Sequence, residues 1–175
     1  TESIAPYLRD ASNYSGGKAD EVLIPGNVDE LVSALKNDLR PVTISGAGTG
    51  LTASRISPEG IIISLEQLNE LGAVKDGKIW LGPAVSLVSL QENLKKTNWF
   101  YPPNPTETNA SIGGTLATNA SGSRSYKFGV TRNFVNAADC ILADGRRVMV
   151  KRGHKITEPL LMDDGSKIGF PKIKY

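Results

Sequence analysis

The chain has little that could do chemistry alone: one cysteine, one histidine and an aromatic share of 6% in 175 residues. Cys140 can close no internal disulfide, so nothing marks the chain as secreted, and a reduced, cytoplasmic setting is the expectation. His154, alone in a polar tail, reads as a solvated residue; a metal site needs several ligands, so no metal is expected. No apolar run approaches the roughly 20 residues that cross a bilayer, and the N-terminus lacks a charged-then-apolar signal, so no membrane span is expected. An excess of charge of either sign is also lacking. Twenty Lys and Arg against eighteen Asp and Glu leave a net charge of +2, which argues against nucleic acid as the main partner. The sparse aromatics argue further against single-strand binding. A chain of this length buries roughly 70% of its unfolded surface and folds without a staple.

What the chain does have is glycine, concentrated in two stretches. The first, Ser45-Gly46-Ala47-Gly48-Thr49-Gly50-Leu51-Thr52, directly follows an apolar run. The second runs from Thr108 through Ser111-Ile112-Gly113-Gly114-Thr115-Leu116-Ala117-Thr118-Asn119-Ala120-Ser121-Gly122. Such stretches cannot fill a core. Paired glycines let a backbone approach something closely, and Ser, Thr and Asn add short donors. Two loops of this kind suggest a large, flat, polar ligand with a diphosphate.

Around them the chain divides into two lobes, residues 1–70 and 71–175. The polar, turn-prone opening, with Asp10 to Gly17, reads as an extended arm on the surface. Strands are expected at Glu21-Val22-Leu23-Ile24-Pro25, ended by its proline, at Pro41-Val42-Thr43-Ile44-Ser45 and at Gly60-Ile61-Ile62-Ile63-Ser64-Leu65. Between the first two, Asn27 and Glu30 form a capping box, and Val28, Leu31, Val32, Leu35 and Leu39 share one helical face. Strand, helix, strand implies a small parallel sheet. After Leu71 the pattern turns antiparallel. Asp76-Gly77 and Asp144-Gly145 signal hairpins, and Asp163-Asp164-Gly165 a weaker one. Ser86 caps a helix carrying Leu87, Leu90 and Leu94. Prolines 102, 103 and 105 stiffen the lead into the second glycine stretch. Trp80 and Trp99 read as packing residues, and Cys140 as a small buried hydrophobe. Arg124, Lys127 and Arg132 suit either a phosphate or a solvated face. The chain closes on a Lys- and Pro-containing segment at 171–175. The fold class is α+β.

The first glycine loop is not a P-loop, since no Gly-Lys-Ser/Thr comes after it. It is not the dinucleotide fingerprint either, because its third glycine comes one place early. The second stretch predicts a short helix opening at Ile112-Gly113-Gly114, whose amides and positive dipole end would favour phosphate.

Together these residues resemble a known family. Asp10-Ala11-Ser12 with Tyr14, Gly46-Ala47-Gly48-Thr49-Gly50-Leu51, Ser111-Ile112-Gly113-Gly114, Ala117-Thr118-Asn119-Ala120-Ser121-Gly122, Tyr126-Lys127-Phe128-Gly129 and Leu142-Ala143-Asp144-Gly145 occur in the order found in FAD-linked oxidases. This is the fold of vanillyl-alcohol oxidase and p-cresol methylhydroxylase (PCMH-type), and the glycolate oxidase and D-lactate dehydrogenase branch is the most similar. The resemblance covers about residues 10–150. It implies a two-lobed FAD-binding domain with FAD between the lobes, in an oxidoreductase acting on a small 2-hydroxy acid. The implied cofactor residues are Gly46, Ala47, Gly48, Thr49, Gly50 and Leu51 on the diphosphate. For the flavin and its tail they are Pro105, Thr106, Ser111, Ile112, Gly113, Gly114, Ala117, Thr118, Asn119, Gly122, Ser123 and Gly129. Some relatives attach the flavin through a histidine in the first loop; Thr49 stands there in this chain, which implies non-covalent FAD. Ser45 departs from the pattern, since close relatives carry arginine ahead of the glycines. The family's flavin domain continues past the point matching Tyr175 into a substrate domain. This chain therefore reads as an N-terminal fragment, whose catalytic residues, small-molecule substrate contacts and electron acceptor belong to the missing part. Two alternatives remain open from the residues: a flavin-dependent non-oxidase of the kind that makes ether phospholipids, and an interaction module that kept the fold without the cofactor.

Overall fold

A computed structural model describes residues 3–170; the closing segment 171–175 lies outside the described residues. The chain opens with a 3-10 turn, Ala5–Leu8, and an irregular arm. It then enters β1 (Glu21–Leu23), α1 (Val28–Asn37), β2 (Val42–Ser45) and β3 (Ile61–Ser64). All three strands are parallel, but β3 lies between the other two. The reason is apolarity on both faces. Ile61, Ile62 and Ile63 are fully buried, as a central parallel strand requires, whereas β1 and β2 expose part of their length and suit edges. Ile61 and Ile63 face α1 through Leu31 and Leu35, with Leu68 closing the cluster. Burying each such side chain contributes about 1.5–3 kcal/mol.

The helix starts as its sequence predicts. The Asn27 side chain accepts from the Glu30 amide at 2.9 Å, and the Glu30 carboxylate accepts from the Gly26 amide at 2.8 Å. Its end differs from expectation. The helix stops at Asn37, because the Asp38 carboxylate accepts from the Arg40 amide and guanidinium and turns the chain locally. Leu39 is therefore 97% exposed and takes no part in the apolar face.

The second core gathers Val85, Leu90 and Leu94 with Leu71, Val74, Ile79, Leu81, Tyr101 and Ile112. Its helix, α2 (Leu87–Leu94), is capped by Ser86, whose hydroxyl accepts from the Ser89 amide at 3.1 Å. The Asp76-Gly77 turn forms, with φ of 49° and 69°, and Lys75 and Lys78 exchange both backbone bonds. Its flanks carry only isolated bridges, Lys75↔Lys78 and Leu71↔Leu81, in place of a full ladder. Val74, Ile79 and Leu81 turn into the core around α2 instead. Trp80 and Trp99 are each more than half exposed, with Trp99 lying over the Gly77 backbone.

The chain continues through α3 (Ile112–Ala117) and α4 (Ser125–Phe128) to the antiparallel pair β4 (Ala137–Ile141) and β5 (Arg147–Lys151). The Gly145 amide closes the connecting turn onto the Leu142 carbonyl, and Gly145 packs against Lys36 and Val32 of α1. A short pair, β6 (Leu160–Leu161) and β7 (Lys167–Ile168), joins β5 through the Asp163 amide and the Arg147 carbonyl. Cys140, in β4, is a half-buried free thiol whose pKa burial pushes up.

Ile62→Ala should lower unfolding stability by about 2–5 kcal/mol in urea denaturation. Asn27→Ala should cost about 1 kcal/mol. A loss below about 1 kcal/mol for Ile62→Ala would contradict a central β3.

Candidate functional site

The parallel sheet delivers its chain ends to one edge, and the first glycine loop leaves from there. Ser45, the last residue of β2, is completely buried, and the chain then emerges into solvent. Gly46, Ala47, Gly50 and Leu51 are exposed, Gly48 and Thr49 partly so. Leu51 exposes 75% of its surface, unusual for so apolar a side chain on a loop. Among the described residues, no backbone N–H of 46–52 donates to a protein acceptor. A run of unpaired amides on a Gly-rich turn makes a concavity for an anion. Gly48 has φ of 72°, and its carbonyl accepts from the Ala11 amide at 3.1 Å, which lays the N-terminal arm along the loop.

The second stretch forms the short helix α3, as predicted, but its amides are already engaged. The Gly113 amide donates to the Pro83 carbonyl and the Ile112 amide to the Val85 carbonyl, both at 2.8 Å. The Gly114 amide donates to the hydroxyl of the N-cap residue Ser111 at 3.3 Å. The amides expected to favour phosphate thus have acceptors within the chain itself. They anchor the helix to residues 83–85, and that segment is in turn held by the Leu68 carbonyl, which accepts from the Ala84 amide. The outer face of α3 carries Gly114, Ala117 and Thr118, all exposed. The two stretches meet: a Cβ on Gly46 would stand 3.0 Å from the Ser111 hydroxyl.

The glycines sort by what a Cβ would strike. At Gly113 it would meet Pro83, at 2.8 Å from its Cβ and 3.0 Å from its carbonyl oxygen. At Gly122 it would overlap the Asn104 carbonyl and the Pro105 nitrogen. Gly129 caps α4 with φ of 93° and abuts Asn133. These three are required by the chain's own packing. Gly50 has no neighbour closer than the Ser54 hydroxyl at 3.7 Å, and Gly114 meets only Ser111. Among the described residues, no backbone crowds these two positions, and at Gly114 only the Ser111 side chain comes close, at 3.0 Å.

The remaining predicted residues line up around the stiff lead. Pro105 is buried against Gly122, Thr106 is exposed, and Ser123 accepts from the Asn104 side chain at 3.1 Å. Asn119 takes φ of 48° and is held by the Arg132 amide on its side-chain oxygen at 3.1 Å. Phe100 and Tyr101 dock edge-on to Phe128 and Phe134, fixing the lead against the segment C-terminal to α3. Burial raises the pKa of the Tyr101 hydroxyl, partly offset by its bond to Thr131. Lys127 lies over the Phe128 ring rather than near the glycines.

One residue of the site escaped the sequence reading. Arg55 reaches back under the first loop and donates to the Gly46 carbonyl at 3.4 Å and the Pro6 carbonyl at 3.2 Å. Its only signal was a lone cation in a run of small polar residues.

Loop amides without protein acceptors beside a helix face of small side chains, at the edge of an α+β fold, suit a flavin dinucleotide. No group of three or more His, Cys, Asp or Glu among the described residues could hold a metal ion. No helix of the described residues is long and apolar enough to cross a membrane. Residues 19–151 match the family model described as FAD binding domain, and the chain belongs to that family, whose cofactor is FAD. It is 37% identical over 134 residues to a D-lactate dehydrogenase of Archaeoglobus fulgidus, covering 74% of this chain and 30% of that protein. It is 39% identical over 159 residues to a D-lactate dehydrogenase of Anaerostipes hadrus, covering 87% and 33%. A glycolate oxidase subunit of Bacillus subtilis is 27% identical over 159 residues, covering 87% and 33%. The chain thus spans about a third of the length of these curated relatives. Among solved structures, chitooligosaccharide oxidase superposes with a TM-score of 0.72 at 16% identity, covering 85% of this chain and 33% of that one; it shares the fold.

Gly122→Ala should lose about 1–3 kcal/mol of stability through overpacking. Gly114→Ala, in an exposed helical position where only the Ser111 hydroxyl must give way, should change stability by less than about 1 kcal/mol. Urea denaturation of both distinguishes them, and equal losses would contradict the sorting of the glycines.

Proposed function

We propose that this chain holds non-covalent FAD for an oxidoreductase that removes a hydride from a small 2-hydroxy acid such as D-lactate or glycolate. The observation that carries this reading is the run of unpaired loop amides at 46–52 beside the bare face of Gly114, in a chain of the FAD binding domain family. The substrate class rests on the relatives named D-lactate dehydrogenase and glycolate oxidase subunit.

In this reading the amides from Gly46 to Leu51 receive the diphosphate, with the Thr49 hydroxyl adding a donor. Ser111, Gly114, Ala117 and Thr118 offer the flat surface on which the ring and its chain lie. Pro105, Thr106, Asn119 and Ser123 form the flank. Ile112, Gly113, Gly122 and Gly129 act from behind by keeping that surface in shape. When bound, FAD accepts the hydride and passes the electrons on, while the protein holds and orients it. Residues 1–70 and 71–175 serve as the two lobes flanking the cofactor. The substrate-binding residues and the contact with an electron acceptor lie in a further domain. The lone half-buried thiol of Cys140 supports a reducing, cytoplasmic setting.

A flavin fluorescence titration tests this. The chain should quench added FAD saturably, and Gly114→Val should weaken binding at least about 10-fold by placing a side chain under the cofactor, a loss of about 1.4 kcal/mol or more. Circular dichroism should show the variant folded. Unchanged affinity in a folded Gly114→Val would contradict this placement.

A further inference from the structure

Arg55 is a half-buried cation. Arg40, Arg146 and Arg147 each sit on a carboxylate, at Asp38, Asp144 and Asp139. Among the described residues, no carboxylate lies within ion-pair distance of Arg55. Its guanidinium bridges two carbonyls, Gly46 of the loop and Pro6 of the arm, and lies over the ring of Tyr7 at 5.6 Å. Its Nε is buried with no acceptor. A Cβ on Gly48 would fall 2.0 Å from its Nη1, so the group lies flush against the loop backbone.

The nearby acids are turned to other donors. Asp10 takes the Ser12 amide and hydroxyl on one oxygen, while its other oxygen is buried without a partner. Glu66 takes the hydroxyls of Tyr7 and Ser64. Burial lowers the pKa of Arg55, and the fields of Asp10, Tyr7 and Glu66 only partly restore it. A partly dehydrated and only partly compensated cation attracts an anion. The surface beside it is the loop whose amides lack acceptors.

We propose that Arg55 is the positioning residue of the diphosphate site, tying the loop to the N-terminal arm and supplying the positive charge that a bound diphosphate neutralises. The inference rests on the FAD reading above and adds which side chain makes the loop selective for a dianionic ligand. Ser45, buried in β2, offers no such charge, and Arg55 supplies it from the far end of the loop.

The test is FAD affinity of the whole chain across a series of salt concentrations, for the parent and for Arg55→Gln and Arg55→Lys. Arg55→Gln should bind FAD about 10–100-fold more weakly, the range for a lost hydrogen bond to a charged group. Its affinity should also depend less on salt. Arg55→Lys keeps the charge but not the two-carbonyl fork, so it should lose about 3–10-fold while retaining the parental salt dependence. A thermal melt establishes that each variant is folded; if the Gln variant is not, the Lys variant carries the same comparison. Affinity within about twofold of the parent in both variants, or identical losses with unchanged salt dependence in both, would overturn the role of Arg55. A parent chain that does not bind FAD would instead overturn the reading beneath it, and this proposal with it.

Discussion

Two carbonyls decide where the parts of this site can stand. Pro83 and Val85 receive the first amides of α3, and Ala84 between them donates to Leu68 at the end of the turn after β3. The Gly82 amide adds a bond to the Glu70 carbonyl. This short segment is therefore stitched on one side to the parallel sheet and on the other to the second glycine stretch. Gly113 has no side chain because Pro83 occupies that place. Without these bonds the loop at 46–52 and the helix at 112–117 would belong to separate cores, one around Ile61 and Ile63 and one around Leu90 and Leu94. With them, Gly46 lies against Ser111.

The same bonds divide the labour between the two stretches. Because α3 uses its opening amides to hold itself in place, it cannot also offer them to an anion. The first loop, with its amides unpaired and Arg55 beneath it, is the anion site in the proposed reading, and α3 contributes a surface of small side chains at Gly114, Ala117 and Thr118. The glycines obey this division. Gly113, Gly122 and Gly129 are small because backbone or a strained φ demands it; at Gly50 a Cβ would meet nothing closer than the Ser54 hydroxyl, and at Gly114 only the Ser111 hydroxyl.

Much of this was legible in the residues. Caps announce themselves locally, and Asn27 and Ser86 each accept the amide expected of them. The unbroken isoleucines predicted a strand, and the Asp76-Gly77 pair predicted its turn. What stayed hidden depends on partners far away in sequence. The position of β3 between its neighbours is set by the burial of both its faces, not by chain order. The engagement of the α3 amides depends on residues about thirty positions earlier. Leu39 fitted the helical period, yet Asp38 and Arg40 end the helix before it. Arg55 lies in an irregular segment with no periodic signal, and only the folded chain brings it under Gly48.

The central claim is that the amides of the first loop, and not those opening α3, receive the cofactor. Backbone amide chemical shifts, tracked by heteronuclear NMR while FAD is added, test it most directly. The account expects the largest shifts at the amides of residues 46–52 and at Gly114 and Ala117, with Ile112 and Gly113 much less affected. Large shifts at Ile112 and Gly113 with a silent first loop would contradict it.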